Sequence, residues 1–349
     1  MQKSQRKILL TGDTPTGKLH LGHWVGSLEN RVQLQKEYEC YFLIANLHAF
    51  TTRAERSAEI RESVLDIVLD YLSAGIDPEQ FGSRIVLQSE VPAISELTFL
   101  FSMLVNYNRV LRNPTLKDEI RDKDLGDNYP FGFLLYPVGQ VADILAFRPD
   151  IVPVGEDQLP HLEMTKEIAQ RFNYLYCKPE NKPDLFSLFE TKLGRVKRLV
   201  GLGAPNAQGQ LLKMSKSLNN AILLSDSPDE IRSKIMGMYT DPKRIKASDP
   251  GQIENNPLWI FHDAFNTDLT WVANAKELYR AGKIGDVECK RKLIEAIVAL
   301  TDPMRARRAK YQNQDDLLEV LKLGTQLANE RVEITLEATK KLMHQHFFI

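Results

Sequence analysis

Two patterns of apolar and polar positions alternate along the first half of the chain. Short continuous apolar runs, typical of buried strands, occur at residues 7–12 (KILLTG), 41–45 (YFLIA), 84–87 (RIVL) and 150–154 (DIVPV). Between the second and third runs, Ile60, Val64, Ile67 and Tyr71 recur with helical spacing, and Gly75 marks the predicted helix end. Strands that alternate with helices in this way predict right-handed crossovers and a parallel sheet covered on both faces.

The pattern changes after about residue 217. Helical periodicity continues near residues 227–238, 257–281, 286–311 and 314–343, without a convincing strand. The sequence therefore predicts an α/β fold, in which residues 1–217 form a Rossmann-like doubly wound parallel sheet. Residues 218–349 are expected to form an all-helical domain, whose last helix is a candidate for packing back on the first domain.

Composition narrows the class of protein. The 349 residues are 43% hydrophobic and 26% charged, with a net charge of −1, which is ordinary for a globular protein. Any nucleic-acid contact must therefore come from local basic patches. Cys40, Cys177 and Cys289 lie far apart without a CxxC pair, which favours reduced thiols. No apolar run resembles a signal peptide or reaches transmembrane length, so we expect a cytoplasmic protein.

The turn after the first predicted strand is the first candidate site. Residues 11–23 read TGDTPTGKLHLGH, so the strand stops at Gly12 and His20-Leu21-Gly22-His23 opens the next helix. In a doubly wound sheet this turn lies where ligands bind, and a helix N-terminus suits phosphate. Gly22 lets a flat ring or a ribose approach the backbone, and His20 and His23 share a face from which they can donate to phosphate oxygens. Alternatively, the two histidines only cap and pack the helix.

A second candidate is the cationic stretch from Thr191 to Ser217. It contains no acidic residue, and its basic residues are Lys192, Arg195, Lys197, Arg198, Lys213 and Lys216. The loop GLGAPNAQGQ before the last two lysines should be flexible, so the stretch predicts a movable positive arm. Such an arm suits nucleotidyl transfer, in which the protein positions the substrate and neutralises charge on the leaving group. The alternative is an ordinary solvated loop.

The third candidate lies in residues 150–173, DIVPVGEDQLPHLEMTKEIAQRFN. A predicted strand ends at Gly155, and Asp157 and Gln158 follow it. An Asp at a strand end can accept hydrogen bonds from ribose hydroxyls, although an Asp at a helix start is more often an N-cap. One face of the following helix carries His161, Thr165, Ile168 and Phe172.

Together these motifs resemble the HIGH and KMSKS signatures of class I aminoacyl-tRNA synthetases, here His20–His23 and Lys213–Ser217. The element Gly155-Glu156-Asp157-Gln158 looks like that of bacterial tryptophanyl-tRNA synthetases. The same is true of residues 46–49 (NLHA), 88–92 (QSEVP), 136–137 (YP) and 142–145 (ADIL). The resemblance runs from about residue 7 to the C-terminal helix and covers nearly the whole chain.

The resemblance implies a set of site residues. The carboxylate that matches Asp143 accepts the indole N–H of tryptophan, a ring with one donor and no acceptor. Tyr136 and Gln158 match positions that hold the α-amino group, and His48 and Gln140 belong to the same amino-acid pocket. The positions that match ATP contacts are Thr14, Pro15, Thr16, Gly22, His23, Gly155, Glu156, Asp157, Leu199, Lys213, Met214, Ser215, Lys216 and Ser217.

The implied reaction has two steps. The carboxylate of L-tryptophan attacks the α-phosphorus of ATP, pyrophosphate leaves, and the terminal adenosine hydroxyl of tRNA(Trp) then takes the tryptophanyl group. No side chain is a covalent nucleophile, and His20, His23, Lys213 and Lys216 stabilise charge on the phosphates. Mg²⁺ arrives with the nucleotide, so we expect no metal ligands from the protein.

Two further partners follow from the resemblance. The helical domain would read the tRNA anticodon, and MRARRAK offers Arg305, Arg307, Arg308 and Lys310 as candidate contacts. A charge run of this kind is usually just a solvated helix face. The segment Phe99–Arg121 matches the region of the homodimer contact, although its apolar residues would otherwise simply be core.

Some positions depart from the family pattern. Thr14 stands where Gln is frequent, Gln140 stands where Met is frequent, and the 201–212 loop is longer than usual. These departures suggest a divergent branch, such as an auxiliary enzyme. Gln140 either adds a polar contact to the amino-acid pocket or faces away from it.

Three other readings compete with this one. The first is a tyrosyl-tRNA synthetase, against which the run after Gln158 argues. The second is a small adenylyltransferase with an HxGH turn, but such enzymes usually lack KMSKS and a large helical domain. The third is a non-catalytic paralogue, which the intact His20, His23, Lys213 and Lys216 disfavour.

Overall fold

A computed structural model describes residues 6–122, 124–126, 128–194, 199–242, 244, 246, 248–311 and 313–347. Within these ranges five strands form one parallel sheet: β1 Ile8–Asp13, β2 Glu39–Ile44, β3 Arg84–Leu87, β4 Ile151–Val154 and β5 Glu190–Leu193. The strand order is β3-β2-β1-β4-β5, and all neighbouring strands are parallel. Strands β2 and β3 follow on one side of β1, and β4 and β5 follow on its other side. The predicted doubly wound parallel sheet is confirmed, and its switch point lies between β1 and β4.

The first part of the chain, up to residue 217, surrounds the sheet with helices. They are α1 Leu21–His23, α2 Glu29–Leu34, α3 Asn46–Arg53, α4 Ser57–Ala74, α5 Pro78–Phe81, α6 Pro92–Ser102, α7 Tyr107–Leu111, α8 Pro114–Asp122, α9 Phe131–Phe147 and α10 Leu159–Phe172. A π-helical turn, Trp24–Leu28, joins α1 to α2, and another, Asn173–Cys177, follows α10. As predicted, α4 ends at Gly75, which has the left-handed backbone (φ 112°) of a C-cap.

Alternating strand residues build two hydrophobic cores, because successive side chains point to opposite faces of a sheet. On one face, Leu9, Phe42 and Ile85 pack with α4. On the other face, Leu10, Leu43 and Val86 pack with α6, α9 and α10. The apolar runs of the sequence are continuous because both faces of this sheet are buried.

The helical half of the chain contains α11 Pro228–Met236, α12 Pro257–Phe265, α13 Leu269–Arg280, α14 Asp286–Arg308 and α15 Gln314–Leu342. The first four pack on the α4 side, where Trp259 and Leu293 join the same hydrophobic cluster as Leu9 and Phe42. The last helix, α15, crosses β3 at Gly324 and adds Ala328 and Val332 to the opposite core. The division at residue 217 stays a prediction, since hydrophobic contacts run across it on both faces.

Two details of the sequence prediction are wrong. The expected single helix over residues 257–281 is two helices, because Asp268 caps α13 by accepting from the Trp271 N–H at 2.9 Å. The strand β5 was not predicted at all. Its residues, ETKL, are partly or largely exposed at the sheet edge, so they lack the apolar pattern that identifies an interior strand.

Candidate active site

A cavity of about 360 Å³ opens at the switch point, between the carboxyl ends of β1 and β4. Nine of the predicted site residues line it: Thr14, Gly22, His23, His48, Gln140, Asp143, Gly155, Asp157 and Gln158. They come from the turn after β1, from α3, from α9 and from the turn after β4. The fold therefore gathers the nucleotide and amino-acid residues predicted from separate motifs into one cavity.

The histidine turn has a defined hydrogen-bond pattern. His20 Nδ1 accepts from the Gly22 N–H and His23 Nδ1 accepts from the His20 N–H, both over 3.1 Å. A neutral imidazole whose Nδ1 accepts carries its proton on Nε2, so each ring retains one N–H donor. Gly22 is required here because a Cβ would lie 2.9 Å from the His20 ring. The two histidines can therefore cap the helix and donate to a ligand at the same time, since capping uses Nδ1 and donation uses Nε2.

Burial keeps both imidazoles neutral. Burial, together with the nearby His23, Lys216 and Lys213, lowers the pKa of His20 to about 2. Burial also lowers the pKa of His23 to about 4, although the Asp13 carboxylate opposes this. The two histidines therefore act as neutral hydrogen-bond donors and not as cations at physiological pH.

The KMSKS loop lies against the same turn. The Lys216 ammonium donates to the carbonyl oxygens of Thr16 and Lys18, over 2.8 and 2.9 Å. Met214 is buried and anchors the loop, while Lys213 is exposed. Asn220 closes the loop by accepting from the Ser215 N–H (2.7 Å) and donating to the Lys213 carbonyl (3.2 Å). No sequence motif singled out Asn220.

Asp143 lies at the far end of the cavity and is only 4% exposed. Gln88 Nε2 donates to both of its carboxylate oxygens, over 2.8 and 2.9 Å, and His48 Nε2 lies 3.4 Å from Oδ2. Burial raises the pKa of Asp143 to about 7, and the hydrogen bond from Gln88 opposes the rise. Gln88 was part of a quoted motif, but its contact with Asp143 was not predicted.

A chain of side-chain amides lines the wall between the two ends. Gln140 Nε2 donates to Gln158 Oε1 (3.0 Å), and Gln158 Nε2 donates to Asp157 Oδ2 (2.9 Å). Gln140 therefore faces the cavity, and the alternative that it faces away is wrong. Asp157 does not cap α10, because the N-cap position is Gln158 and lacks a side-chain cap bond.

Tyr136 lies beside the cavity and not in its lining. Its hydroxyl donates to Glu119 (3.2 Å) and lies 3.5 Å from His161 Nε2, while its ring packs 5.9 Å from that of His48. Several other predicted site residues also lie outside the lining. They are the catalytic candidate His20 and the predicted ATP contacts Pro15, Thr16, Glu156, Leu199 and Lys213–Ser217. Leu199 accepts from the Met214 N–H over 3.1 Å, so it supports the lysine loop.

Sequence reasoning missed a buried network below the first turn. Asp13, the last residue of β1, accepts from Arg31 Nη1 and from the Tyr71 hydroxyl, both over 2.6 Å. Burial alone would raise the pKa of Asp13, but Arg31 holds it at about 2. Arg31 and Asp13 also line the cavity, together with Gly26 and Ser27 of the π-helical turn. Asp13 lies in the quoted turn without a predicted role, and no motif marked Arg31, because the two residues and Tyr71 lie far apart in the sequence.

The basic run of α14 is neither a solvated face nor a free patch. Arg307 Nε donates to the Ser73 carbonyl (2.7 Å), Arg305 Nη1 donates to the Asp226 carbonyl (3.3 Å), and Arg308 pairs with Asp70. Only Lys310 of the four candidate tRNA contacts is exposed. Of the other cationic stretch, Arg195, Lys197 and Arg198 lie outside the described residues, and Lys192 is exposed on β5.

The described part of the chain contains no group of three or more His, Cys, Asp or Glu side chains placed to hold a metal ion. Each helix described there is too short or too polar to cross a membrane. Cys40, Cys177 and Cys289 are buried free thiols.

The sheet and the cavity at its switch point define a nucleotide-binding enzyme of the doubly wound class. The sequence model of the family tRNA synthetases class I (W and Y) matches residues 2–302, and the chain belongs to this family.

Individual relatives agree with the family. The tryptophan–tRNA ligase of Streptococcus mutans is 44% identical over 351 residues, covering 98% of this chain and 99% of the relative. That of Treponema pallidum is 45% identical over 338 residues, covering 96% of each chain. The structure of tryptophanyl-tRNA synthetase from Campylobacter jejuni, complexed with ADP and tryptophan, is similar with a TM-score of 0.80. It is 27% identical and covers 97% of this chain and 99% of that one.

Proposed function

We infer that the protein activates L-tryptophan with ATP, forming tryptophanyl-adenylate and pyrophosphate, and transfers tryptophan to the 3′ end of tRNA(Trp). One observation carries this inference: a single cavity joins the His20–His23 turn to a buried carboxylate, Asp143. The near-full-length relatives that are tryptophan–tRNA ligases support the same activity. They favour tryptophan over tyrosine, and an active synthetase over the adenylyltransferase and non-catalytic readings.

Asp143 is proposed to select the amino acid. An indole N–H reaching this buried carboxylate would gain an acceptor that Gln88 and His48 already orient. A phenylalanine ring has no such donor, and sites built around a hydrogen bond reject analogues that lack it by roughly 10⁴–10⁵-fold. Gln158, held by Gln140, and Tyr136, beside His48, are proposed to take the α-amino group.

The other end of the cavity is proposed to hold ATP. The Nε2 donors of His20 and His23 and the ammonium groups of Lys213 and Lys216 would stabilise charge on the phosphates while the tryptophan carboxylate attacks. Gly155, Glu156 and Asp157 would contact the ribose, and residues 14–16 would border the nucleotide. ATP is expected to bring its own Mg²⁺, which neutralises phosphate charge when bound.

The remaining partners are also proposals. The helical half would read the anticodon of the tRNA, through surfaces other than the three arginines that bind within the chain. The segment Phe99–Arg121 would form a homodimer contact, which its exposed apolar residues support: Phe99 is 65% and Tyr107 63% exposed. A cytoplasmic location is also proposed, and the buried free thiols, which fit a reducing compartment, support it.

The test is exchange of labelled pyrophosphate into ATP, run in parallel with tryptophan, tyrosine and phenylalanine. We expect exchange with tryptophan alone and charging of tRNA(Trp) by the same preparation. Asp143→Ala should raise the KM for tryptophan, with the KM for ATP little changed. Exchange that depends on tyrosine, or the absence of exchange from the folded protein, would contradict the proposed function.

A further inference from the structure

Asp70 is a buried carboxylate that the chemistry above does not use. It lies in α4, is 0% exposed, and has partners in two distant parts of the chain. Its Oδ2 accepts from the Leu19 N–H over 2.6 Å, and its Oδ1 accepts from Arg308 Nη1. Leu19 immediately precedes the histidine turn, whereas Arg308 is the last residue of α14 in the helical half. One carboxylate therefore bridges the active-site turn and the helical half.

The Asp70 contact holds the turn from a side that the other bonds to it do not reach. Leu19 and Leu21 bond to the segment that follows the lysine loop, through Leu224 N–H to Leu19 O and Leu21 N–H to Ile222 O, both over 3.0 Å. The Lys216 ammonium holds the carbonyls of Thr16 and Lys18. Since Asp70 holds the Leu19 N–H from the α4 side, a shift of its carboxylate would move the peptide that carries His20.

The helical side of the contact is equally specific. Arg307 Nε and Nη2 donate to the carbonyls of Ser73 and Ala74 at the end of α4, over 2.7 and 3.2 Å. Arg308 is the neighbouring residue, and it alone of these arginines reaches Asp70. Both arginines thus fasten α14 to α4, but only Arg308 bonds a side chain that continues to the active-site turn.

We propose that Asp70 is a positioning residue through which the helical half sets the geometry of the histidine turn. Arg308 fixes the orientation of the carboxylate, and the carboxylate fixes the Leu19 N–H. A movement of α14 relative to α4, such as a partner bound on the helical half would produce, then alters adenylate formation without touching the cavity. The expected effect on adenylate formation rests on the proposed function, whereas the expected effect on the position of the histidine turn does not.

The kinetic test compares Arg308→Ala with Arg307→Ala in the full-length protein. Both variants remove bonds between α14 and α4, so both should lower the unfolding temperature. Only Arg308→Ala should lower the kcat of tryptophan-dependent exchange, by about 10–100-fold, because small misplacements of reacting groups cost that much. The KM for tryptophan should change little, and Arg308→Lys should recover most of the loss.

The structural test needs no activity. Hydrogen–deuterium exchange of the peptide that spans residues 16–24 should be faster in Arg308→Ala and in Asp70→Asn than in Arg307→Ala. The proposal is overturned if Arg308→Ala and Arg307→Ala lose pyrophosphate-exchange activity equally and protect this peptide equally from deuterium exchange. Asp70 would then only form a structural ion pair with Arg308. If the wild-type protein lacks tryptophan-dependent exchange but the deuterium result holds, the proposed function fails and the contact role of Asp70 stands.

Discussion

The ammonium group of Lys216 lies 2.8 Å from the carbonyl oxygen of Thr16, a residue 200 positions earlier in the chain. This bond places the second lysine of the KMSKS loop on the turn that precedes His20. Burial lowers the pKa of Lys216, and the nearby Arg53 lowers it further. The loop is therefore closed over the histidine turn, where the phosphates of ATP are proposed to bind.

Lys216→Ala should reduce adenylate formation by at least about 10²-fold, the usual scale for one transition-state donor. The measurement is tryptophan-dependent pyrophosphate exchange at saturating substrates. Lys322→Ala, which removes an exposed lysine of α15, is the matched control and should leave the rate unchanged. An exchange rate in Lys216→Ala equal to that of the wild type would refute the role of this side chain.

Asp143 should make the stability of the protein depend on pH. Burial raises its pKa to about 7 from an unfolded value of 3.8, so the folded state binds the proton more tightly between those values. Its contribution to the free energy of unfolding is present below pH 4 and is lost as pH rises to 7, on the order of a few kcal/mol. The amide that replaces the carboxyl group in Asp143→Asn does not titrate between pH 4 and pH 7.

Thermal unfolding of Asp143→Asn and of the wild type at several pH values checks this. The Tm of the variant, relative to the wild type, should rise from pH 5 to pH 7.5 and then stay level. If the Tm values of the two proteins change in parallel with pH, the pKa of Asp143 in the folded protein is not raised by burial.

The Arg31–Asp13 pair should be much more important for stability than a more exposed Arg–carboxylate pair. The Arg31 side chain is 3% exposed, and its loss in Arg31→Met leaves Asp13 without its cation, which should cost about 3 kcal/mol. The control is Arg84→Met, which breaks a pair with Glu39 whose side chains are 22% and 24% exposed and should cost about 1 kcal/mol or less. Urea unfolding measures both, and equal losses would contradict the argument.

Gly324 should tolerate no side chain, because α15 crosses β3 there. A Cβ at this position would lie 2.2 Å from the Ile85 carbonyl oxygen, so Gly324→Ala must separate the helix from the strand. We expect a loss of about 3 kcal/mol in the free energy of unfolding. Gly132→Ala in α9 meets nothing within 4 Å and should change stability by less than about 1 kcal/mol. Similar Tm values for the two variants would show that α15 can move away from the sheet at little cost.

The sequence determined the parts of the protein whose signals are local. Four apolar runs identified β1 to β4, since strands buried on both faces must be apolar throughout. The residues at the ends of β1 and β4 carried recognisable motifs, so a site at the carboxyl ends of the strands followed from the order of elements. Helix spacing likewise located α4 and its glycine cap.

Only the tertiary structure decided which distant residues meet. Gln88 with Asp143, Lys216 with Thr16, and Asp70 with Leu19 and Arg308 are pairs whose separation along the chain hides them from any periodic pattern. The polar edge strand β5 was hidden for a related reason, because its backbone pairs with β4 while its side chains stay largely outside the core. Periodicity records which side of an element is buried, whereas hydrogen bonds between elements depend on how the whole chain packs.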